Sequence, residues 1–492
     1  MNKVMPIRTL DRSYKSAMNI LNGRRRPERP TTGPGGQLPG SVPEAKGKPD
    51  LKGIPSIAGM RQWLHEIGHS TIDVDKLNIV HVAGTKGKGS TCAFIEVFLR
   101  TFGERTGFPR KTGLYTSPHL IYPEERIRIN FQPIARELFV KYFFEVWEAL
   151  SKDDGISRTL PRYLQLVALV SFHTFIKEGV DAAIFETHHG GEYDATNMIE
   201  HPVATVITPL GMDHVKQLGP TIENIAWHKA GIFKEGARAF SSIQEDSAAE
   251  VLRARASEKR TSVQFIENDP SLPPNSSQLK PDVQRMNCSV ALAAARHFLE
   301  KKAPEDDTPL SISDISQAID RFSWPGRFQL IKEGTFSWFL DGAHNDMSVI
   351  KAAEWFIEST KGQSAPYERI LIFSQVSEQR DATVVLERLA STLSTIRIHH
   401  VIFTTYDPQQ DFDSTSASKS KATPQETFVN IWKRFHQESH ILCDPNVQTA
   451  LRSAREIGEK AGGMHTLITG SQHLVGAVLF SFSSDKPNQR ST

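Results

Sequence analysis

The run LNIVHVAGTKGKGSTCAFIEVFLRTFG, residues 77–103, constrains this chain more than any other stretch. A short apolar strand, LNIVHVAG, leads directly into a glycine cluster, and the cluster leads into an apolar helical pattern. Strand, glycine loop and helix in this order build parallel α/β sheets with a built-in anion site, because the first backbone N–H groups of a helix lack partners within it and sit at its positive end. On this reading the backbone of Gly87, Lys88, Gly89 and Ser90 converges on a phosphate, Lys88 adds a point charge, and Ser90 or Thr91 offers a hydroxyl near a magnesium ion. The helix is expected to begin at the Ser90–Thr91 pair and to end near Gly103. The strict phosphate-loop pattern is not met, since Gly89 separates Lys88 from Ser90. A glycine turn without a ligand is the other reading of this stretch alone.

Further apolar runs at 181–189, 203–211, 337–345, 369–376, 399–407 and 464–472 read as strands. Helical patterns such as MSVIKAAEWFIEST, ATVVLERLASTL, ETFVNIWKRFH and VQTALRSAREIGEK lie between several of them. Such alternation predicts parallel α/β sheets whose chemistry sits on the loops after the strand C-termini. A chain of 492 residues is too long for one ordinary core, so two domains are expected, 1–325 and 326–492, joined where Pro325 and Gly326 interrupt FSWPGRFQLIKEGT. Residues 23–53, dense in Gly, Pro and Arg, read as a flexible surface loop, and 409–425 as a second polar loop.

Composition excludes several classes. Lys and Arg outnumber Asp and Glu by 58 − 56 = 2, so nothing in the overall charge points to nucleic acid or a membrane surface. No apolar run approaches the ~20 residues of a spanning helix. Three widely spaced cysteines, Cys92, Cys288 and Cys443, suit a reducing compartment and read as small apolar side chains. The N-terminus looks like an amphipathic helix rather than a secretory signal. Cytoplasm is expected, with the mitochondrion as the alternative.

Several polar residues follow predicted strands. Glu186 closes AAIFE, Asp213 and His214 follow the next strand, Asp341 and His344 lie in FLDGAHND, and Gly470 and Ser471 stand at the last strand-to-helix turn. A carboxylate, an imidazole and a hydroxyl beside a phosphate cradle can form a magnesium site, although imidazole is less usual for so hard a cation. Lys229, flanked by apolar residues in IAWHKAGIFKEG, is a candidate for a desolvated, modifiable ammonium; a solvated or ion-paired lysine is the alternative. The later groups would face a cleft between the domains, an arrangement suited to phosphoryl transfer onto a second substrate.

HVAGTKGKGS, GLYTSPHL, ERIRIN, GGEYDATN, GMDHVKQLGPTIENIAWHKAGIFK, WPGRF, DGAH and ITGSQHLVGA occur in that order over nearly the whole chain. With these motifs the chain resembles the folylpolyglutamate synthase family of Mur-ligase-like ATP-dependent amide ligases, in its eukaryotic, fungal-type form. The resemblance implies an N-terminal P-loop, Mur-ligase-like ATPase domain with a parallel-rich sheet and a C-terminal Rossmann-like α/β domain. Gly84, Thr85, Gly87, Lys88, Gly89 and Ser90 would hold the ATP phosphates; Ser117, Glu186 and His214 would ligate Mg2+. Lys229 would be carbamylated and serve a second Mg2+, and a monovalent cation such as K+ would assist. Asn287, Arg327 and Asp341 would contact nucleotide across the domain interface, and His344 and Ser471 would place the incoming glutamate. Lys88, Lys229 and His344 are the catalytic candidates. Folate would lie near the YTSPHL loop. The implied reaction passes the γ-phosphoryl group of ATP to a folate γ-carboxylate, and L-glutamate then attacks the acyl phosphate. Folate, L-glutamate and ATP are the expected partners, without nucleic acid or membrane span, and a monomer is expected.

The sequence departs from the family pattern at ETHHGG, where Thr187 replaces an apolar residue and His188 a glycine; His188 and His189 are either extra ligands or filling. Val283 stands where a histidine is common, and PEERIRIN also differs from the usual form. Three readings follow: glutamate ligation to reduced folates, the same chemistry on dihydropteroate or another carboxylate, and an ATP-binding regulator without turnover.

Overall fold

In the computed structural model, residues 11–25, 54–152, 159–304, 309–362, 367–376, 381–406 and 425–484 are described. Most of the two predicted loops, 26–53 and 409–424, lies outside these residues, as do residues 1–10 of the expected N-terminal helix, whose described part is helical over Tyr14–Gly23. The described chain forms two α/β units. The first ends at Phe322, and the second begins at Ser323 and also takes in Leu120–Tyr122. The division falls a few residues ahead of Pro325: Phe322 stacks on Phe94 of the first unit, whereas the Gly326 N–H donates to Gln329 in the second.

The first unit is built on an eight-stranded sheet: β1 (Ile79–Ala83), β2 (Thr112–Tyr115), β3 (Ile127–Ile129), β4 (Gln132–Pro133), β5 (Ala182–Glu186), β6 (Ala204–Ile207), β7 (Arg238–Ser242) and β8 (Val263–Ile266). Its order is β4-β3-β2-β5-β1-β6-β7-β8. Strands β2, β5, β1, β6, β7 and β8 are parallel, and β3 and β4 add an antiparallel edge. All five residues of β1 are buried, which explains why its sequence shows no alternation and is apolar but for His81, whose Nε2 meets the Thr196 hydroxyl at 2.9 Å. From β1 the chain moves outward to β2 and from β6 to β7, in opposite directions. Such a reversal opens a crevice beyond the strand C-termini. The loops 84–87 and 208–214 border it.

The helix after β1 runs Lys88–Thr106, earlier and longer than the Ser90–Gly103 expected. Gly87 starts it with φ +79°, and Gly107 stops it with φ +89°. Gly103 lies within the helix because a Cβ there would overlap the Pro109 carbonyl; this glycine serves close packing and is no terminator. Thirteen residues of the helix are buried, and it packs on the long helix Asp282–Lys302.

The second unit has a six-stranded sheet: β9 (Gln329–Glu333), β10 (Phe336–Leu340), β11 (Glu368–Phe373), β12 (His400–Phe403), β13 (His440–Cys443) and β14 (Met464–Thr469), in the order β13-β12-β11-β14-β10-β9. All pairs are parallel except the β9–β10 hairpin, whose first strand is not among the apolar runs read from the sequence. Helices Asp346–Thr360 and Ala382–Leu393 cover one face with Phe339, Phe356 and Trp432; Val447–Ala461 and Gln472–Ser484 cover the other with Trp338 and Ile468.

Candidate functional site

The glycine loop after β1 is shaped by close approach. A Cβ on Gly84 would overlap the Thr208 hydroxyl, and one on Gly87 would overlap the Asn287 amide, so both positions exclude larger residues. The loop is tied to the turn after β6: the N–H groups of Thr85 and Lys86 donate to the Pro209 carbonyl at 3.1 Å, and the Thr85 hydroxyl donates to the Gly211 carbonyl, also at 3.1 Å. Asn287 is held in turn by Gln284, at 3.0 Å. Gly89 and Ser90 fall in the first turn of the helix, where backbone N–H groups have no helical acceptor.

Around this loop the charges pair. Lys88 Nζ is 3.8 Å from Glu186 Oε1, and Lys86 Nζ is 3.4 Å from Asp213 Oδ2. Glu186 ends β5, is only 4% exposed, and accepts from the Ser117 N–H at 3.0 Å. The Ser117 hydroxyl accepts from Arg126 at 2.8 Å, and Arg126 Nε also reaches His119. Lys229 closes the helix Ile222–Lys229 and is 3% exposed. Burial, followed by the nearby Lys88 charge, drives its ammonium well below the usual lysine range.

The structure therefore brings together Gly84, Thr85, Gly87, Lys88, Glu186, Ser117, Asn287 and Lys229, as the sequence order alone could not. His214 has φ +52°, and its ring lies edge-on to His189, with centroids 4.4 Å apart. Burial, with the adjacent His214, pushes the His189 imidazole well below its ordinary pKa. Among the described residues no three His, Cys, Asp or Glu side chains form a metal-ligand cluster, so any cation here must draw on hydroxyls and bound phosphates as well.

Asp194 was not singled out from the sequence, although the D-A-T run is a turn signal. Its carboxylate accepts from the backbone N–H groups of His188 and His189 at 3.0 Å each, and from the N–H and hydroxyl of Thr196. Burial raises the pKa of this carboxyl, but the neighbouring His188 and these hydrogen bonds outweigh it and hold it below the usual range. The His188 ring meets the Tyr115 hydroxyl at 2.6 Å.

In the second unit Asp341 follows β10 and accepts from the N–H groups of Phe328 and Ala343, at 2.9 Å each. Burial raises its pKa, and the nearby Arg327 opposes the rise. Arg327 also faces the Gln472 side-chain oxygen. His344 is fixed by Nδ1 on the Gly342 carbonyl at 2.8 Å, and its own carbonyl accepts from Gln375 at 3.0 Å. Ser471 Oγ accepts from the Tyr406 hydroxyl at 2.8 Å and from the His473 N–H at 3.1 Å. No local signal marked Tyr406, which lies 65 residues away in the chain.

Comparison with known proteins follows the same division. Residues 82–292 match the family model of the Mur ligase middle domain, and residues 326–481 that of the dihydrofolate synthetase C-terminal domain. The chain is 38% identical to a folylpolyglutamate synthase of Neurospora crassa, over 95% of this chain and 91% of that protein. It is 39% identical to a probable folylpolyglutamate synthase of Schizosaccharomyces pombe, over 86% of this chain and 87% of that one. Among solved structures, the Mycobacterium tuberculosis folylpolyglutamate synthase complexed with ADP shares the fold with a TM-score of 0.70 at 21% identity, covering 97% of this chain and 100% of that chain. A bifunctional folylpolyglutamate synthase/dihydrofolate synthase from Yersinia pestis, complexed with AMPPNP and Mn ion, gives 0.63 at 23% identity, covering 86% and 93%. With relatives this similar along almost its full length, the chain belongs to the folylpolyglutamate synthase family of ATP-dependent ligases.

Proposed function

We propose that this protein joins L-glutamate to the γ-carboxylate of tetrahydrofolate and its glutamylated forms, driven by ATP. The observation that carries the reading is the grouping of Lys88, Glu186 and Ser117 at the mouth of the glycine loop. In the first step a γ-carboxylate oxygen attacks the γ-phosphorus while the bond to the ADP oxygen breaks. In the second, the glutamate amine attacks the acyl carbon, phosphate leaves, and the amine loses a proton.

Gly84, Thr85, Gly87, Lys88, Gly89 and Ser90 cradle the phosphates, with Gly87, Lys88, Gly89 and Ser90 offering backbone N–H groups, Lys88 its ammonium, and Gly84 and Thr85 the loop shape, Thr85 being tied to Pro209 and Gly211. Lys88 gains most where negative charge spreads over the transferring group, which is where phosphoryl transfer is chiefly catalysed. Asn287, Arg327 and Asp341 bind the nucleotide, and His344 and Ser471 orient the glutamate. Ser117, Glu186 and His214 would hold Mg2+. A buried carboxylate with an ammonium near it, beside a hydroxyl, fits a hard cation that keeps phosphate and water as its other ligands. When bound, the ion neutralises phosphoryl oxygens. The depressed Lys229 amine suits carbamylation, which would add a carboxylate for a second Mg2+; K+ is the proposed monovalent ion. Among the described residues no helix is long and apolar enough to cross a membrane. The reading takes the protein as a monomer acting on small molecules in the cytoplasm, or in the mitochondrion.

The test is incubation with MgATP, L-glutamate and tetrahydrofolate, with Lys88→Ala in parallel. Folates heavier by successive glutamyl units, absent with the variant, are expected. A second reading, dihydropteroate as acceptor, is favoured by the match of residues 326–481 to a dihydrofolate synthetase domain. Product from dihydropteroate alone would select it. ATP binding with turnover of neither acceptor would count against both.

A further inference from the structure

The two loops that carry Ser117 and Glu186 are cross-linked below their tips. Tyr115 ends β2 two residues before Ser117, and His188 follows β5 two residues after Glu186. The strands are neighbours, with Tyr115 opposite Phe185. The Tyr115 hydroxyl and His188 Nε2 are 2.6 Å apart, and both side chains are buried. The other ring nitrogen, Nδ1, lies 3.4 Å from Asp194, whose carboxylate also fixes the backbone N–H groups of His188 and His189. Nε2 is thus taken up by Tyr115, while Nδ1 is buried at ion-pair distance from the Asp194 carboxylate without making a hydrogen bond.

We infer that Tyr115 and His188 form a buried strut that sets the spacing of Ser117 and Glu186 for a divalent cation, making both positioning residues for nucleotide-linked metal binding. The inference rests on the metal reading of the proposed function. Apart from the strut, the two loop tips are joined by the Ser117 N–H to Glu186 bond, whose carboxylate must also serve the cation. A link placed beneath the tips holds their separation without using a coordinating atom, and outer groups that fix the orientation of metal ligands tune affinity by about 10–100-fold.

The test is ADP binding by calorimetry over a range of Mg2+ concentrations, with thermal unfolding of every variant recorded alongside. Tyr115→Phe and His188→Ala should each raise the Mg2+ concentration at half effect by about tenfold, leave Mg2+-free ADP affinity within about twofold, and fail to add in the double variant. His188→Gln, which keeps a polar atom for Tyr115, should recover most of the loss. Variants that melt earlier yet follow the wild-type Mg2+ curve would reduce the strut to packing and overturn the inference alone. A wild type whose ADP affinity ignores Mg2+ would overturn the metal reading and the strut together.

Discussion

Lys229 Nζ donates to the carbonyl oxygen of Gly84 at 2.7 Å, joining the end of one helix to the first residue of the glycine loop. Burial and then the Lys88 charge depress its pKa well below that of a free lysine, the direction that favours the uncharged amine the carbamate proposal requires. Lys229→Ala should lower kcat by about a hundredfold or more. Under the carbamate proposal, added acetate or propionate restores part of the rate and methylamine does not. Rescue by methylamine instead would mean that the site needs a cation.

Asp194 gives a prediction in pH. Its carboxyl titrates below 3.8 in the folded state, so its stabilising contribution is complete above the unfolded value and fades as the pH falls toward the folded one. Asp194→Asn should cost about 2–4 kcal/mol near neutral pH, since it disrupts a buried acceptor of several hydrogen bonds. The gap to wild type should narrow below about pH 4. Urea titrations at several pH values measure it, and a gap that stays constant into acid would contradict the assignment.

What the sequence made legible was local. The strand, glycine loop and helix of residues 79–106 are contiguous, and Glu186 and Asp341 stand directly after apolar runs, so their place at strand ends could be read without any fold. Strands β8, β9 and β13 are partly exposed and short, and they lack the continuous apolar run that betrays a buried parallel strand. Tyr115 and Tyr406 were silent because their partners lie 73 and 65 residues away in the chain, whereas Asp194 binds groups two to six residues away in a turn whose buried end the sequence does not mark.

Gly103 turns that lesson into a measurement. Helix propensity alone says that Gly103→Ala should stabilise the protein by up to about 1 kcal/mol. The structure predicts the opposite sign, because the new Cβ would overlap the backbone carbonyl of Pro109, which cannot swing aside as a side chain could. A loss of about 1–3 kcal/mol is expected from overpacking. Chemical denaturation decides between the two, and a stabilised variant would show that the backbone near Pro109 yields to the new Cβ and that helix propensity governs this position.

Tyr406 offers the last discrimination, this time between binding substrates. Its hydroxyl donates to Ser471 Oγ and accepts from the Val376 N–H at 3.1 Å, so it ties the strand-to-helix turn at Ser471 to the end of the strand before Val376. Gly470, with φ +110°, lets the chain make that turn against Phe373. Tyr406→Phe keeps the ring and removes both bonds, leaving the Ser471 hydroxyl oxygen held by the His473 N–H without its Tyr406 donor, at a cost of about 1–2 kcal/mol. If Ser471 places the incoming amino acid, that loss should surface as a rise of about 3–10-fold in the KM for glutamate, with the KM for ATP unchanged. Ser471→Ala should show the same pattern, more strongly, and combining the two should add little because both act through one hydroxyl. Equal rises in both KM values, or a fall in stability with the glutamate KM untouched, would remove Ser471 from the glutamate site and leave Tyr406 as a packing residue.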